Sequence, residues 1–228
     1  MPQPFIILIP IYQGLTQLDF TGPYQFFCDL PNVDIKVASI GGQPVTVEGF
    51  SFADLSVLEE ITHCDLLCVP GGNCTNAIEN SDFIAAIKRL GQGARYITSV
   101  CTGSLILAAA GLLKGKRAAC HWAWREKLAL FGATPDAGRV VKDGNIITGG
   151  GVTAGMDFAL VVIAEMVGED SARAIQLRLE YSPEPPFHSG NPETAPKAVR
   201  DKVAQKLSQQ VTEKSPVLEC AARHLSID

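Results

Sequence analysis

The sequence predicts an α/β fold, a doubly wound sandwich whose sheet is mostly parallel and carries helices on both faces, built as one domain. Three observations point there. Short apolar runs recur at residues 5–11, 64–69 and 96–100, each too brief for a typical helix and suited to a strand covered on both faces. Helix-forming stretches separate these runs, and glycines follow the strand ends, as at Gly71-Gly72 and Gly149-Gly150-Gly151. The 228 residues, 46% hydrophobic and 19% charged, suffice for one large domain with a substantial core.

Residues 5–11 (FIILIPI) supply a central strand. The loop that follows reaches Leu18-Asp19-Phe20-Thr21-Gly22-Pro23, where Pro23, with its fixed φ and missing N–H, suits the first turn of a helix running to Leu30. Asp19 has two readings: an acid at a helix N-terminus, or a carboxylate aimed from the first loop across the sheet edge at Cys101. Residues 33–40 (VDIKVASI) alternate as a strand nearer an edge, Gly41-Gly42 turns the chain, and 45–55 forms a short β excursion. The next strand, 64–69 (CDLLCV), is broken by Pro70-Gly71-Gly72-Asn73. Gly71 and Gly72 make either a simple turn or a nest of backbone N–H groups pointing into a cleft. Over 81–90, Phe83, Ile84, Ile87 and Leu90 share one face of an amphipathic helix.

Cys101 then falls at a change of period. Tyr96-Ile97-Thr98-Ser99-Val100 has strand composition, whereas Leu105, Leu107 and Ala108 to Ala110 are strong helix formers that stop at Gly111. A side chain at such a corner stands above the carboxyl edge of the sheet and beside the positive end of a helix. The expectation is a reactive thiol of lowered pKa, against the alternative of a buried structural cysteine. The small residues Thr102, Gly103 and Ser104 are expected to let a substrate approach.

Residues 116–120 read as a short strand leading to His121-Trp122-Ala123-Trp124 and a helix that ends before Gly132. His121 is either a site residue or a satisfied structural histidine. Asp143-Gly144-Asn145 marks a hairpin over 140–148, which runs through Gly149-Gly150-Gly151-Val152 into a long apolar helix ending at Val167. The three glycines lack both phosphate-loop signatures and read as close approach of backbone to a cleft. A helix over 169–179 precedes a loop at 180–192 that Pro183, Pro185, Pro186 and Pro192 keep irregular. A helix resumes over 195–211, and the tail after Pro216 allows one short helix.

A net charge of -5 without a basic cluster argues against nucleic-acid and membrane partners. The seven cysteines show neither a disulfide nor a zinc framework; Cys64 and Cys68 lie four apart with no second pair. No metal and no cofactor is therefore expected. Reduced thiols, with no secretory leader and no run long enough to span a bilayer, predict a cytoplasmic protein.

The motifs Leu18-Asp19-Phe20-Thr21-Gly22-Pro23, Val69-Pro70-Gly71-Gly72, Ser99-Val100-Cys101-Thr102-Gly103, His121-Trp122 and Thr148-Gly149-Gly150-Gly151-Val152-Thr153-Ala154-Gly155 together resemble the DJ-1/PfpI (ThiJ) superfamily. The likeness continues through Gln176 to Tyr181 and Pro192 to Pro196, and is nearest to the isonitrile hydratase-like branch. It implies one flavodoxin-like domain over 1–228, with 191–228 a C-terminal helical extension, acting on a small molecule as a homodimer. Carried over residue by residue, Cys101 is the nucleophile in a strained elbow and Asp19 its acid/base partner. Thr102 is a backbone or hydroxyl donor, Gly71 and Gly72 are N–H donors, and Gly150, Val152 and His121 complete the substrate site. Many relatives carry Glu in place of Asp19, and Ala119-Cys120 stands where relatives commonly have threonines. The implied reaction hydrates an isonitrile, R–N≡C, to a formamide, R–NH–CHO, through a Cys101 thioimidate, in a small hydrophobic pocket completed at the dimer interface. Alternatives are glyoxalase or deglycase chemistry on 2-oxoaldehydes and a redox-responsive protein in which Cys101 becomes a sulfinic acid. A DNA-binding regulator is disfavoured because 195–228 holds no basic recognition helix.

Overall fold

A computed structural model describes residues 3–225, so the extreme ends of the expected domain, 1–2 and 226–228, lie outside the described residues. The first half runs β1 (Phe5–Pro10), α1 (Leu18–Phe27), β2 (Val33–Ser39), β3 (Val45–Val47), β4 (Phe50–Phe52), β5 (Ser56–Val57), β6 (Leu66–Val69), α2 (Cys74–Ile78) and α3 (Ser81–Gly93). The second half runs β7 (Tyr96–Val100), α4 (Gly103–Ala109), β8 (Arg117–Ala118), β9 (Thr134–Pro135), β10 (Val140–Asp143), β11 (Ile146–Gly149), α5 (Ala154–Val167), α6 (Glu169–Arg178) and α7 (Lys197–Leu225).

Seven strands form the main sheet in the order β10-β11-β7-β6-β1-β2-β5. Every neighbour pair is parallel except β10 with β11. Its continuous apolar strands are buried on both faces: Ile7, Leu8 and Ile9 of β1 and Leu66 to Val69 of β6 have no exposed surface. The chain winds first from β1 to β2 and later to β6 on the other side of β1, the flavodoxin-like arrangement. A crevice therefore opens at the carboxyl ends of β1 and β6, the place where such sheets bind ligands.

Several elements differ from the sequence reading. The first helix starts at Leu18, five residues ahead of Pro23, because the Gln17 carbonyl already accepts from Phe20 and Thr21 N–H groups at 3.2 and 2.9 Å. Pro23 sits inside it, packed so tightly on α5 that a Cβ at Gly155 would lie 3.3 Å from its ring. The strand expected over 64–69 begins only at Leu66, and that over 116–120 shrinks to β8, paired with β9. Residues Arg125–Phe131 wind as a 3₁₀ helix rather than an α-helix, ended by Gly132 at φ 73°.

The largest departure is at the C-terminus. One helix, α7, runs unbroken through Pro216. The missing N–H and ring clash cost roughly 3 kcal/mol. Against this, Leu218 is fully buried and Val217, Ala221, Ala222 and Leu225 pack on the core, which returns a comparable or larger sum at about 25 cal/mol per Å². Among the described residues no helix is long and apolar enough to cross a membrane.

Candidate active site

Cys101 occupies the tight corner between β7 and α4, with a positive φ of 59°. For a residue with a Cβ this left-handed backbone costs on the order of 1–2 kcal/mol, and the surroundings hold it there. Its N–H donates to the Gly149 carbonyl at 3.0 Å, continuing the β7–β11 ladder past the strand end. Below it α4 presses onto β6: a Cβ at Gly103 would stand 2.1 Å from the Val69 carbonyl oxygen. Gly103 thus serves the packing of the corner rather than substrate access. Ser104 is likewise committed, its Oγ donating to the Ala119 carbonyl and lying 2.8 Å from Ser99 Oγ.

Asp19 comes from the first turn of α1 and has no exposed surface. Two loops are zipped together to hold it: Thr16 N–H donates to the Gly71 carbonyl at 2.9 Å, and Asn73 N–H to the Gly14 carbonyl at 2.8 Å. Gly71 N–H then donates to Asp19 Oδ2 at 3.0 Å. A Cβ at Gly71 would stand 2.5 Å from Thr102 N and 2.7 Å from Asp19 Oδ2, so only glycine fits under the carboxyl. The carboxyl lies within hydrogen-bonding reach of the Cys101 thiol. Its Oδ1 is buried and has no oxygen or nitrogen donor among the described residues.

Burial pushes the Asp19 carboxyl up to about 7, while the Gly71 N–H and the Cys101 thiol pull the other way. Cys101 is not the low-pKa thiol that its place at a helix start predicts. Burial first, and the Asp19 carboxylate second, push it well above its ordinary value, outweighing the Thr102 N–H that favours the thiolate. The helix behind it has only seven residues and its end is walled off from water, so desolvation wins. Cys101 rests as a thiol, and its proton leaves most readily to the neighbouring carboxylate. Burial also raises Cys74 and Cys68 to about 12, and Cys120 well above its usual value.

Above the pair lies a cavity of about 510 Å³ that takes in Cys101, Thr102, Gly72, His121 and Val152. Five of the residues expected from the sequence therefore meet at one opening, with Asp19 and Gly71 directly beneath it. Thr102 Oγ1 both donates to the Gly72 carbonyl (2.9 Å) and accepts from Gly72 N–H (2.8 Å), so that hydroxyl and that N–H hold each other. The Gly71 and Gly72 N–H groups thus hold Asp19 and Thr102 rather than standing free as donors. Gly150 lies aside, its N–H donating to the Arg139 carbonyl at 2.9 Å. His121, its pKa lowered by burial, accepts from Ala123 N–H at Nδ1 (3.3 Å) and stacks on Trp122.

The cavity wall also contains Val47 and Glu48 from the β3–β4 hairpin, Trp124, and Leu207, Gln210 and Lys214 from α7. None of these was expected. Leu207, Gln210 and Lys214 recur at helical spacing, but a helix that stops at 211 leaves Lys214 off it. Among the described residues no group of three His, Cys, Asp or Glu side chains could hold a metal ion, and all seven cysteines are free.

The DJ-1/PfpI family model matches residues 6–165, from β1 through most of α5, and so takes in Asp19, the Gly71-Gly72 turn and Cys101. The chain belongs to the DJ-1/PfpI family. Within the DJ-1/PfpI proteins, it is 43% identical over 219 residues to the isonitrile hydratase of Pseudomonas putida, covering 95% of this chain and 96% of that one. A solved ThiJ/PfpI protein from Pseudomonas syringae matches it with a TM-score of 0.89 at 38% identity, over 96% of this chain and 90% of that one. The HTH-type transcriptional regulator GlxA of Rhizobium meliloti is 33% identical over 145 residues, 62% of this chain but only 44% of the regulator. The helix α7 falls beyond the reach of the DJ-1/PfpI model.

Proposed function

We propose that this chain is an isonitrile hydratase, a lyase that adds water to R–N≡C to give R–NH–CHO with Cys101 as nucleophile and Asp19 as its acid/base partner. The observation that carries this reading is a carboxyl raised to about 7 lying against a thiol in a strained corner, the thiol on the wall of a cavity. The near full-length likeness to the Pseudomonas putida isonitrile hydratase supports the substrate class.

An isonitrile accepts a proton and a nucleophile at the same terminal carbon, so the donor and the nucleophile must sit side by side. Near neutral pH the pair holds one proton. Cys101 Sγ–H passes it to Asp19, the thiolate forms a C–S bond to the terminal carbon, and the Asp19 carboxyl returns the proton to that carbon. The product is a thioimidate, R–N=CH–S–Cys101, with Asp19 again a carboxylate. Asp19 next takes a proton from water as the hydroxide adds to the same carbon, and gives that proton to the nitrogen. Cleavage of the C–S bond releases R–NH–CHO, and the hydroxyl proton restores the thiol. The partnerless Oδ1 is the oxygen suited to this shuttle, because Oδ2 is held by Gly71.

We further assign the chain to the cytoplasm and to a homodimer, supported by its seven free cysteines and by exposed Val161 and Leu177 on adjacent helices. Residues 1–228 act as one domain in this reading, with 191–228 a functional part of it, since α7 walls the cavity.

The test is turnover of cyclohexyl isocyanide, with N-cyclohexylformamide as the readout. The wild-type protein should form it, and Cys101→Ala should not. Loss of methylglyoxal with no attack on the isocyanide would move the assignment to glyoxalase chemistry.

A further inference from the structure

We propose that the α7 face made by Leu207, Gln210 and Lys214 is the subsite for the isonitrile's substituent, and that Lys214 selects substituents ending in a carboxylate. The proposal rests on the isonitrile reading above and adds the class of R. Positions 207, 210 and 214 fall on one side of the helix, and that side lines the same cavity as Cys101 and Thr102. A volume of about 510 Å³ leaves room beyond the reacting group for a substituent several atoms long. The wall is mixed in chemistry: Leu15, Val47, Trp124, Val152 and Leu207 are apolar, whereas Gln210 and Lys214 on the same helix as Leu207 are polar.

Lys214 is half-buried, and its Nζ donates to Asn73 Oδ1 at 2.7 Å. That acceptor is neutral and is already shared with the Thr75 hydroxyl at 2.8 Å. An ammonium has three donors, so the charge stays uncompensated and donors remain for a ligand. Among the described residues no carboxylate lies within ion-pairing distance of it. Glu48, the one acidic side chain on the cavity wall, is exposed on the hairpin tip and makes no ion pair with Lys214. Asn73 in turn is fastened to the site: its N–H is bound to Gly14, its Nδ2 donates to Asn76 Oδ1 at 2.9 Å, and it directly follows Gly72. Lys214 is thus a cation of fixed position in the cavity that Cys101 also lines. A carboxylate at the far end of R would take the free ammonium donors while its carbon chain lies on Leu207 and Trp124.

The experiment compares n-butyl isocyanide with 4-isocyanobutanoate, which differ at the end placed near α7. The wild-type protein should favour the acid about tenfold in kcat/KM, through KM. Lys214→Met should lower that acid-to-neutral ratio about tenfold, Lys214→Arg should keep it, and salt near 0.5 M should weaken it. An unchanged ratio in Lys214→Met, or a wild-type preference for the neutral compound, overturns the proposal. Turnover of neither compound defeats the isonitrile reading instead. In that case calorimetry with Cys101→Ala decides the subsite: 4-formamidobutanoate must bind more tightly than N-butylformamide, and the added Lys214→Met change must erase the difference.

Discussion

Asp19 and Cys101 show how burial can reverse what position predicts. A cysteine at a helix start is ordinarily acidified, yet here loss of water around the thiol and the adjacent carboxylate push it upward. Both identities could be read from the sequence, because a strand-to-helix change of period marks the corner and Asp19 lies in the loop region opening on the same edge. Their protonation could not, since desolvation depends on every element packed over them. Two outcomes follow from the carboxyl near 7. If the working pair holds one proton, kcat/KM rises with pH up to about 7 and levels above it. Asp19→Asn removes that acid limb and lowers kcat by about 10²–10⁴-fold, as read from a pH–rate profile. Stability follows the opposite slope. A folded pKa raised from 3.8 to about 7 gives stability that is fully present below pH 3.8 and is lost as pH rises through 7. Between pH 4 and 8 the wild type should therefore lose on the order of 4 kcal/mol that Asp19→Asn does not, measured by denaturant unfolding at the two pH values.

Individual elements are as close as their glycines allow. Gly103 lets α4 sit on the end of β6, and Gly103→Ala would drive a methyl to within 2.1 Å of the Val69 carbonyl oxygen. That change should cost about 3 kcal/mol or more and lower Tm, because neither partner is a flexible side chain. Helix α7 gives the contrary case. Pro216 leaves the Thr212 carbonyl without its intrahelical donor, so Pro216→Ala should raise stability by about 1–3 kcal/mol in the same assay. Local signals served well where they agree with packing, as for the Asp143-Gly144-Asn145 hairpin, seen as β10 and β11, or the amphipathic face of Phe83, Ile87 and Leu90, buried in α3. They failed at Pro23 and Pro216. Proline is a strong local stop, but long-range burial of the flanking Phe20, Phe26 and Leu218 overrides it.

In the proposed reading the whole molecule places its chemistry where the winding direction of the sheet reverses and then covers it from a distant part of the chain. Composition and strand periodicity made the parallel sheet legible, and the motifs on its carboxyl edge led to Asp19, Gly71, Gly72 and Cys101. The cover of Leu207, Gln210 and Lys214 was not legible, because only the docking of α7 brings residues more than a hundred positions from Cys101 to the cavity. A chain ending at Thr194 should consequently lose turnover and bind a hydrophobic dye, since it exposes the surface on which Leu218 packs. The most direct measurement of the central claim is intact-mass analysis of the wild-type protein quenched in acid during turnover of cyclohexyl isocyanide. A gain equal to the mass of one isocyanide, mapped to the peptide carrying Cys101 and absent from Cys101→Ala, is the predicted result. Formamide produced with no such adduct, or produced by Cys101→Ala, would contradict it.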